Sequence, residues 1–175
     1  DSGATWTENT STGATKRWYG ITSSSDGTKL AAYVEGGNIW TSNDSGATWT
    51  EVTTTGAGKN WNAITSSSDG TKLAACVNGG NIWTSSNSGA TWTEDTSVNA
   101  TKNWGGITSS ADGTKLAACM NDGNIWISSD SGATWTENTS TGATKRWYGI
   151  TSSSDGTKLA AYVEGGNIWT SNDSG

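Results

Sequence analysis

Asp44-Ser45-Gly46-Ala47-Thr48-Trp49-Thr50-Glu51 (DSGATWTE) decides how this chain is read, because the same string returns at a fixed step. Asp1, Asp44, Asn87 and Asp130 each open it, 43 residues apart, and Asp173-Ser174-Gly175 begins it again. Residues 1–46 are identical to residues 130–175. The chain therefore holds three distinct units (residues 1-43, 44-86, 87-129), a fourth (residues 130-172) that copies the first, and a remainder, residues 173-175. The 12 tryptophans fall at three offsets per unit, starting with Trp6, Trp18 and Trp40. So regular a placing of large aromatics separates a repeat fold from a disordered Ser/Thr/Gly-rich chain. No shift in composition interrupts the period, so residues 1-175 are expected to form a single domain.

The stretch from Trp18 to Trp61 lays out one period. Trp18 to Ser23 is a β-prone run, and Ser24-Ser25-Asp26-Gly27 is a turn. Lys29 to Val34 is a second run, apolar on both faces, as a strand buried on two sides requires. Gly36-Gly37 turns into Asn38 to Ser42. Asn43 to Ala47 turns into Thr48 to Val52, and a loop leads onward. Nothing has helical periodicity. Four strands per unit predict an all-β fold, a β-propeller of four-stranded antiparallel blades. The chain opens on a fourth strand (Ala4 to Glu8) and closes on a third (Asn167 to Ser171). The terminal strands are therefore expected to share one blade, which would remove an exposed sheet edge. Three assemblies satisfy this pattern: one chain closing a four-bladed ring, two chains closing an eight-bladed ring, or a window of a longer array. The identity of the first and fourth units points to recent amplification or to construction by design.

Ser42 to Trp49 fits S-x-D-x-G-x-T-W at every fixed position, as does Ser128 to Trp135, while Ser85 to Trp92 departs once, with Asn87 for Asp. This resembles the Asp-box, or BNR repeat, of sialidase-type propellers. The resemblance implies a structural role for Asp44, Gly46, Trp49, Asn87, Gly89, Trp92, Asp130, Gly132 and Trp135, on the face away from the usual ligand site. A carboxylate can accept bonds from its own turn, and Gly supplies a left-handed step. The family's catalytic set is missing. Sialidases grip the substrate carboxylate with three arginines, and here only Arg17 and Arg146 exist, at equivalent places in identical units.

Composition narrows function further. The absence of histidine excludes a Ser-His-Asp triad and any His-dependent zinc site. A net charge of -6 argues against nucleic acid and anionic membranes as partners. Cys76 and Cys119 occupy one strand position in neighbouring units and are expected as free buried thiols, with no cofactor and no metal. The sequons at Asn9, Asn43, Asn99, Asn138 and Asn172 would be glycosylated if the chain is secreted by a eukaryote. An extracellular location is the expectation for a natural source.

The units differ mainly in residues 9–20 and 33–37 and their equivalents. In a four-stranded blade these two loops lie on one rim, where propellers generally bind ligands. Arg17, Trp18, Tyr19 and Glu35, with Arg146, Trp147, Tyr148 and Glu164, form the mixture of aromatic faces and planar charged groups of a carbohydrate site, and Trp61 and Trp104 hold the matching places with the amides Asn60, Asn62 and Asn103. The competing reading makes the Trp18-type residue a wedge between blades, since it does not vary while its neighbours do. The sequence thus predicts a protein that is not an enzyme, a repeat scaffold or interaction propeller. A multivalent lectin binding glycans through that rim is the alternative, and two chains in one eight-bladed ring the expected self-association.

Overall fold

The computed structural model describes residues 3–98 and 101–175. Asp1 of the first motif and the sequon at Asn99 lie outside the described residues. The fold is all-β. The folded unit is the strand meander, offset from the sequence repeat, so the first unit begins at Trp18. In it, β1 (Trp18–Ser23), β2 (Leu30–Val34), β3 (Ile39–Ser42) and β4 (Thr50–Glu51) form an antiparallel meander. β5 (Trp61–Ser66), β6 (Leu73–Gly80), β7 (Ile82–Ser85) and β8 (Thr93–Glu94) repeat it. So do β9 (Lys102–Ser109), β10 (Leu116–Met120), β11 (Ile125–Ser128) and β12 (Thr136–Asn138). β6 also pairs with β9 through Asn78↔Asn103 and Gly80↔Lys102, which merges these two meanders into one sheet of eight strands. The last sheet has three strands, β13 (Trp147–Ser152), β14 (Leu159–Val163) and β15 (Ile168–Ser171).

Side chains alternate across each second strand, and the alternation decides which neighbour they meet. Ala31 and Tyr33 of β2 pack forward, with Ile39 and Val52, onto Trp61, Leu73, Ala75, Val77, Trp83 and Trp92 of the second unit. Ala74 and Cys76, the other face of β6, pack forward onto Trp104, Ile107, Leu116 and Ala118. Cys119 meets Trp147 and Ala161 in the same manner. The core is thus a series of seams, each made by the trailing face of one unit and the leading face of the next. At most three residues of each second strand and at most three tryptophans fill each seam. This is how a chain only 31% hydrophobic builds an interior.

The inner strands β1, β5, β9 and β13 lie side by side in sequence order. A row of backbone bonds links the first turn of each unit: Ser25 donates to Ser68, Ser68 to Ala111, and Ala111 to Ser154, each at 2.7 Å. The expected terminal pairing is not made within the single chain. Trp6, Thr7 and Glu8 are in no strand, Trp6 is 91% exposed, and β15 keeps a bare edge. Asn9 instead donates to the carbonyls of Gly46 and Ala47 in the first unit's own turn. The repeat states which strands match, but not how far the units turn before first and last could meet.

Candidate functional site

Many of the positions that differ between units lie in two loops that backbone bonds join into one rim. The Glu35 amide donates to the Arg17 carbonyl at 3.0 Å, Asn78 to Asn60 at 2.8 Å, Asn121 to Asn103 at 2.7 Å, and Glu164 to Arg146 at 3.0 Å. In the outer units the side chains pair too: Arg17 to Glu35 at 2.6 Å and Arg146 to Glu164 at 2.7 Å. Both pairs are exposed, so each contributes at most about 1 kcal/mol and serves to fix the rim's shape. The Arg17 guanidinium lies 5.8 Å from the Tyr19 ring centre, and Tyr148 stands 6.3 Å from Tyr162.

The tryptophans of the same set separate from the rim. Trp61, Trp104 and Trp147 are buried in the seams. The Trp61 indole donates to the Gly37 carbonyl at 3.1 Å, and Trp104 to Gly80 at 3.2 Å, each reaching into the preceding unit. Edge-on contact with the third-strand tryptophan repeats in each unit, 6.2 Å for Trp18–Trp40 and 6.3 Å for Trp104–Trp126. A lysine caps that tryptophan, as Lys59 does Trp83 at 4.7 Å. Trp18 alone of the inner tryptophans stays half-open. It lines, with Tyr19, Ile21, Ala32 and Trp49, a cleft of about 430 Å³ on the leading face of the first unit.

Sequence reasoning read Asn62 as an amide of the rim and Tyr33 as a variable position beside it, but the Asn62 side chain bridges to the Trp104 carbonyl at 2.7 Å and the Tyr33 hydroxyl donates to the Asn62 carbonyl at 2.5 Å. Their mark in the sequence is that both sit at variable positions yet point into a seam. Burial pushes the Tyr33 hydroxyl up to about 12. Burial also pushes the Cys119 thiol up to about 12, and the Cys76 thiol higher still, so both are protonated at neutral pH and lie free in the core.

The S-x-D-x-G-x-T-W turns are closed by their own polar atoms. Asp44 Oδ1 accepts from the Thr48 amide at 2.9 Å and from the Ser42 hydroxyl at 2.7 Å, and Oδ2 accepts from the Thr48 hydroxyl at 2.6 Å. Asp130 repeats this, and Asn87 holds the Thr91 amide with Oδ1 while its Nδ2 donates to the Thr91 hydroxyl. The left-handed step is taken by two residues, Ser45 at φ 59° and Gly46 at φ 85°. The first turn of each unit uses another Asp: Asp26 accepts from Ser24 Oγ at 2.6 Å and the Thr28 amide at 3.0 Å.

These bonds hold the carboxyls low. Hydrogen bonds from Ser24 and Thr28 bring Asp26 to about 2, and Thr48 and Ser42 do the same for Asp44. Asp69, Asp112 and Asp130 are also held at about 2 by the same kinds of bond, and Asp155 lower still. A carboxyl whose folded pKa lies below its unfolded value of about 4 stabilises the fold above pH 4, and that contribution is lost as pH falls toward 2. The melting temperature, followed by circular dichroism, is therefore expected to stay level from pH 7 to 5 and to fall between pH 4 and 2. A flat profile through that window would show that the turns do not hold their carboxylates.

No family model matches the sequence, and a comparison with curated proteins finds no match. Solved structures do match. A GH74 enzyme from Niastella koreensis superposes with a TM-score of 0.69 at 20% identity, over 90% of this chain and 23% of that one. YCF48 bound to D1 peptide gives 0.60 at 14% identity, over 91% and 56%. A GH74 xyloglucanase from Xanthomonas campestris gives 0.65 at 17% identity, over 84% and 26%. These neighbours are β-propellers, and the chain has their fold. It spans under a quarter of the first and little more than half of the second.

Proposed function

We propose that the chain is a non-catalytic propeller scaffold, built from Asp-box blades, that works by presenting an interaction surface. One observation carries this reading: the residues repeated in every unit are spent on the fold. The Asp or Asn and the Thr of each complete turn bond each other, and the inner tryptophans of the second, third and fourth units fill seams. Most of the residues that vary lie on the rim or at the seam positions beside it, Asn87, Ala111 and Ile127 being exceptions. The two rim glutamates are each engaged by an arginine, in units that are not neighbours, and the repeat sets the further acid of that loop, Asp122, one unit away from Glu164. Two carboxylates facing one sugar across roughly 5–10 Å, as glycoside hydrolysis needs, are not supplied by that pattern. The fold itself is neutral on the point, since its neighbours include glycoside hydrolases and a peptide-bound protein.

A lectin is the second reading. It is favoured by the exposed Tyr19 and Tyr148 beside Arg17–Glu35 and Arg146–Glu164, aromatic faces next to planar charged groups. Exposing the chain to a panel of chromogenic glycosides and to a glycan array separates the readings. No turnover and no glycan binding is the expected result. Turnover abolished by Glu35→Gln would overturn the scaffold in favour of an enzyme. Glycan binding lost in Tyr19→Ala/Tyr148→Ala would establish the lectin.

A further inference from the structure

The first and last units have one sequence and two surroundings. Trp18 is 40% exposed, while its copy Trp147 is 0%. Tyr33 is 4% exposed and its copy Tyr162 is 48%; Ile39 is 0% and Ile168 is 76%. With the sequence held constant, the neighbour makes the difference. The second unit covers the trailing face of the first, and the third covers the leading face of the last. What remains bare is the leading face of unit one and the trailing face of unit four.

These bare faces match each other. The seam between units one and two sets Ala31, Tyr33 and Ile39 against Trp61, Leu73, Ala75, Val77, Trp83 and Trp92, with Ile64 alongside. Unit four offers Ala160, Tyr162 and Ile168 at the first set of positions. Unit one offers Trp18, Leu30, Ala32, Val34, Trp40, Trp49 and Ile21 at the second. Every residue type is the same, except that Asn9 stands where Val52 does. We infer that the trailing face of one copy of this chain binds the leading face of a second copy, and that Trp6-Thr7-Glu8 of the second copy adds a fourth strand to the bare edge of β15.

The interior shows what that strand would do. β4 pairs with β3 through Trp40↔Glu51 and Thr41↔Thr50, so Glu8 is set opposite Trp169, and Thr7 opposite Thr170. In each complete unit an Asn amide ties the third strand to the glutamate of the fourth: Asn38 to Glu51 at 3.0 Å, Asn81 to Glu94 at 3.1 Å, Asn124 to Glu137 at 3.0 Å. Asn167 and Glu8 are the same pair on two copies. Trp6 takes the place by Trp147 that Trp49 holds by Trp18, at 6.3 Å. The row of turn bonds continues from the Ser154 amide of one copy to the Ser25 carbonyl of the other. Covering the β15 edge removes a template for unspecific pairing. The contact is head to tail, so it closes only when the turn per unit allows and otherwise propagates.

This goes beyond the scaffold reading. Turnover of a glycoside would end that reading and leave this one standing, whereas a lone chain would do the reverse. Light scattering on the intact chain is expected to give at least twice the 18.0 kDa of one copy. Ile168→Asp puts a charge where Ile39 is fully buried in the interior seam, yet on a side chain exposed in the single chain, so it is expected to give 18.0 kDa with an unchanged circular dichroism spectrum. An intact chain of 18.0 kDa, or an Ile168→Asp assembly of undiminished mass, overturns the proposal.

A cross-link tests the register. Directly opposed residues of antiparallel strands lie about 4.5–5.5 Å apart, within reach of a disulfide. Thr7→Cys chains mixed with Thr170→Cys chains and oxidised are expected to yield a covalent heterodimer that neither variant yields alone. With both substitutions in one chain, bonds between chains are expected. A bond inside one chain of 18.0 kDa would show self-closure and overturn the proposal as well.

Discussion

Trp104→Ala is expected to cost about 3–5 kcal/mol, the range for removing a large aromatic from a packed core. Trp18→Ala, the same change at the same motif position, is expected to cost about 1 kcal/mol or less. The two indoles have equivalent third-strand partners, Trp126 and Trp40, at nearly one distance. They differ in what stands in front of them. Trp104 is buried against Ala74, Cys76 and Ile82 of the preceding unit and donates to Gly80 there, while Trp18 faces no unit. In a repeat fold, stability is close to a sum of unit terms and seam terms, and only Trp104 belongs to a seam within the chain. Urea unfolding should be measured on the Ile168→Asp background, where one chain is studied by itself. Equal costs there would mean that units, and not seams, hold this protein together. On the intact chain at high concentration, Trp18→Ala is expected to weaken association instead.

That contrast also marks how far the sequence carries. In the first unit the strands of the first three positions were legible to within a residue, because turn residues and apolar alternation bracket them on both sides. By contrast, β6 runs on to Gly80 and β9 starts at Lys102 because these two strands pair with each other across units. The fourth strand is shorter than its pattern suggests, Thr50–Glu51 against Thr48 to Val52. Thr48 is drawn into the turn by Asp44, and side-chain bonds of that kind compete with the ladder. The rim was legible from connectivity alone, and the backbone bonds between residues 17 and 35 realise it. The ion pairs across it were not, since a list of charges carries no distances. Least legible was the difference between Trp18 and Trp147. Nothing in two identical strings distinguishes them, and only position in the row does. For the same reason the terminal strand could be matched to its register but not to a partner in the same chain.

Gly20→Ala is expected to destabilise the chain by about 1–3 kcal/mol, as overpacking does, and Tyr33→Cys is expected to relieve it. A methyl group at Gly20 would lie 2.6 Å from Tyr33 Cε1. The ring has no room to yield: it is buried in the first seam, and its hydroxyl is fixed on the Asn62 carbonyl at 2.5 Å. The two residues face each other directly across β1 and β2, as Gly20↔Tyr33. The second unit carries Ala63↔Cys76 at the same register, the third Gly106↔Cys119, and the fourth Gly149↔Tyr162. At this register position between the first and second strands, then, each tyrosine stands opposite a glycine, and the alanine stands opposite a cysteine. The physical rule is that one pair of strands has space for a ring or for a methyl group, not for both. Tyr33→Cys alone empties the ring's space and costs about 3–5 kcal/mol by the same logic as other aromatic truncations. The double variant reproduces the pair already present in unit two, so it is expected to cost no more than Tyr33→Cys by itself. A double-mutant cycle in urea then gives a coupling of about 1–3 kcal/mol, the size found for side chains in contact. Additive costs would show that Tyr33 can move aside, and that the pairing of residue types across these strands has no steric cause.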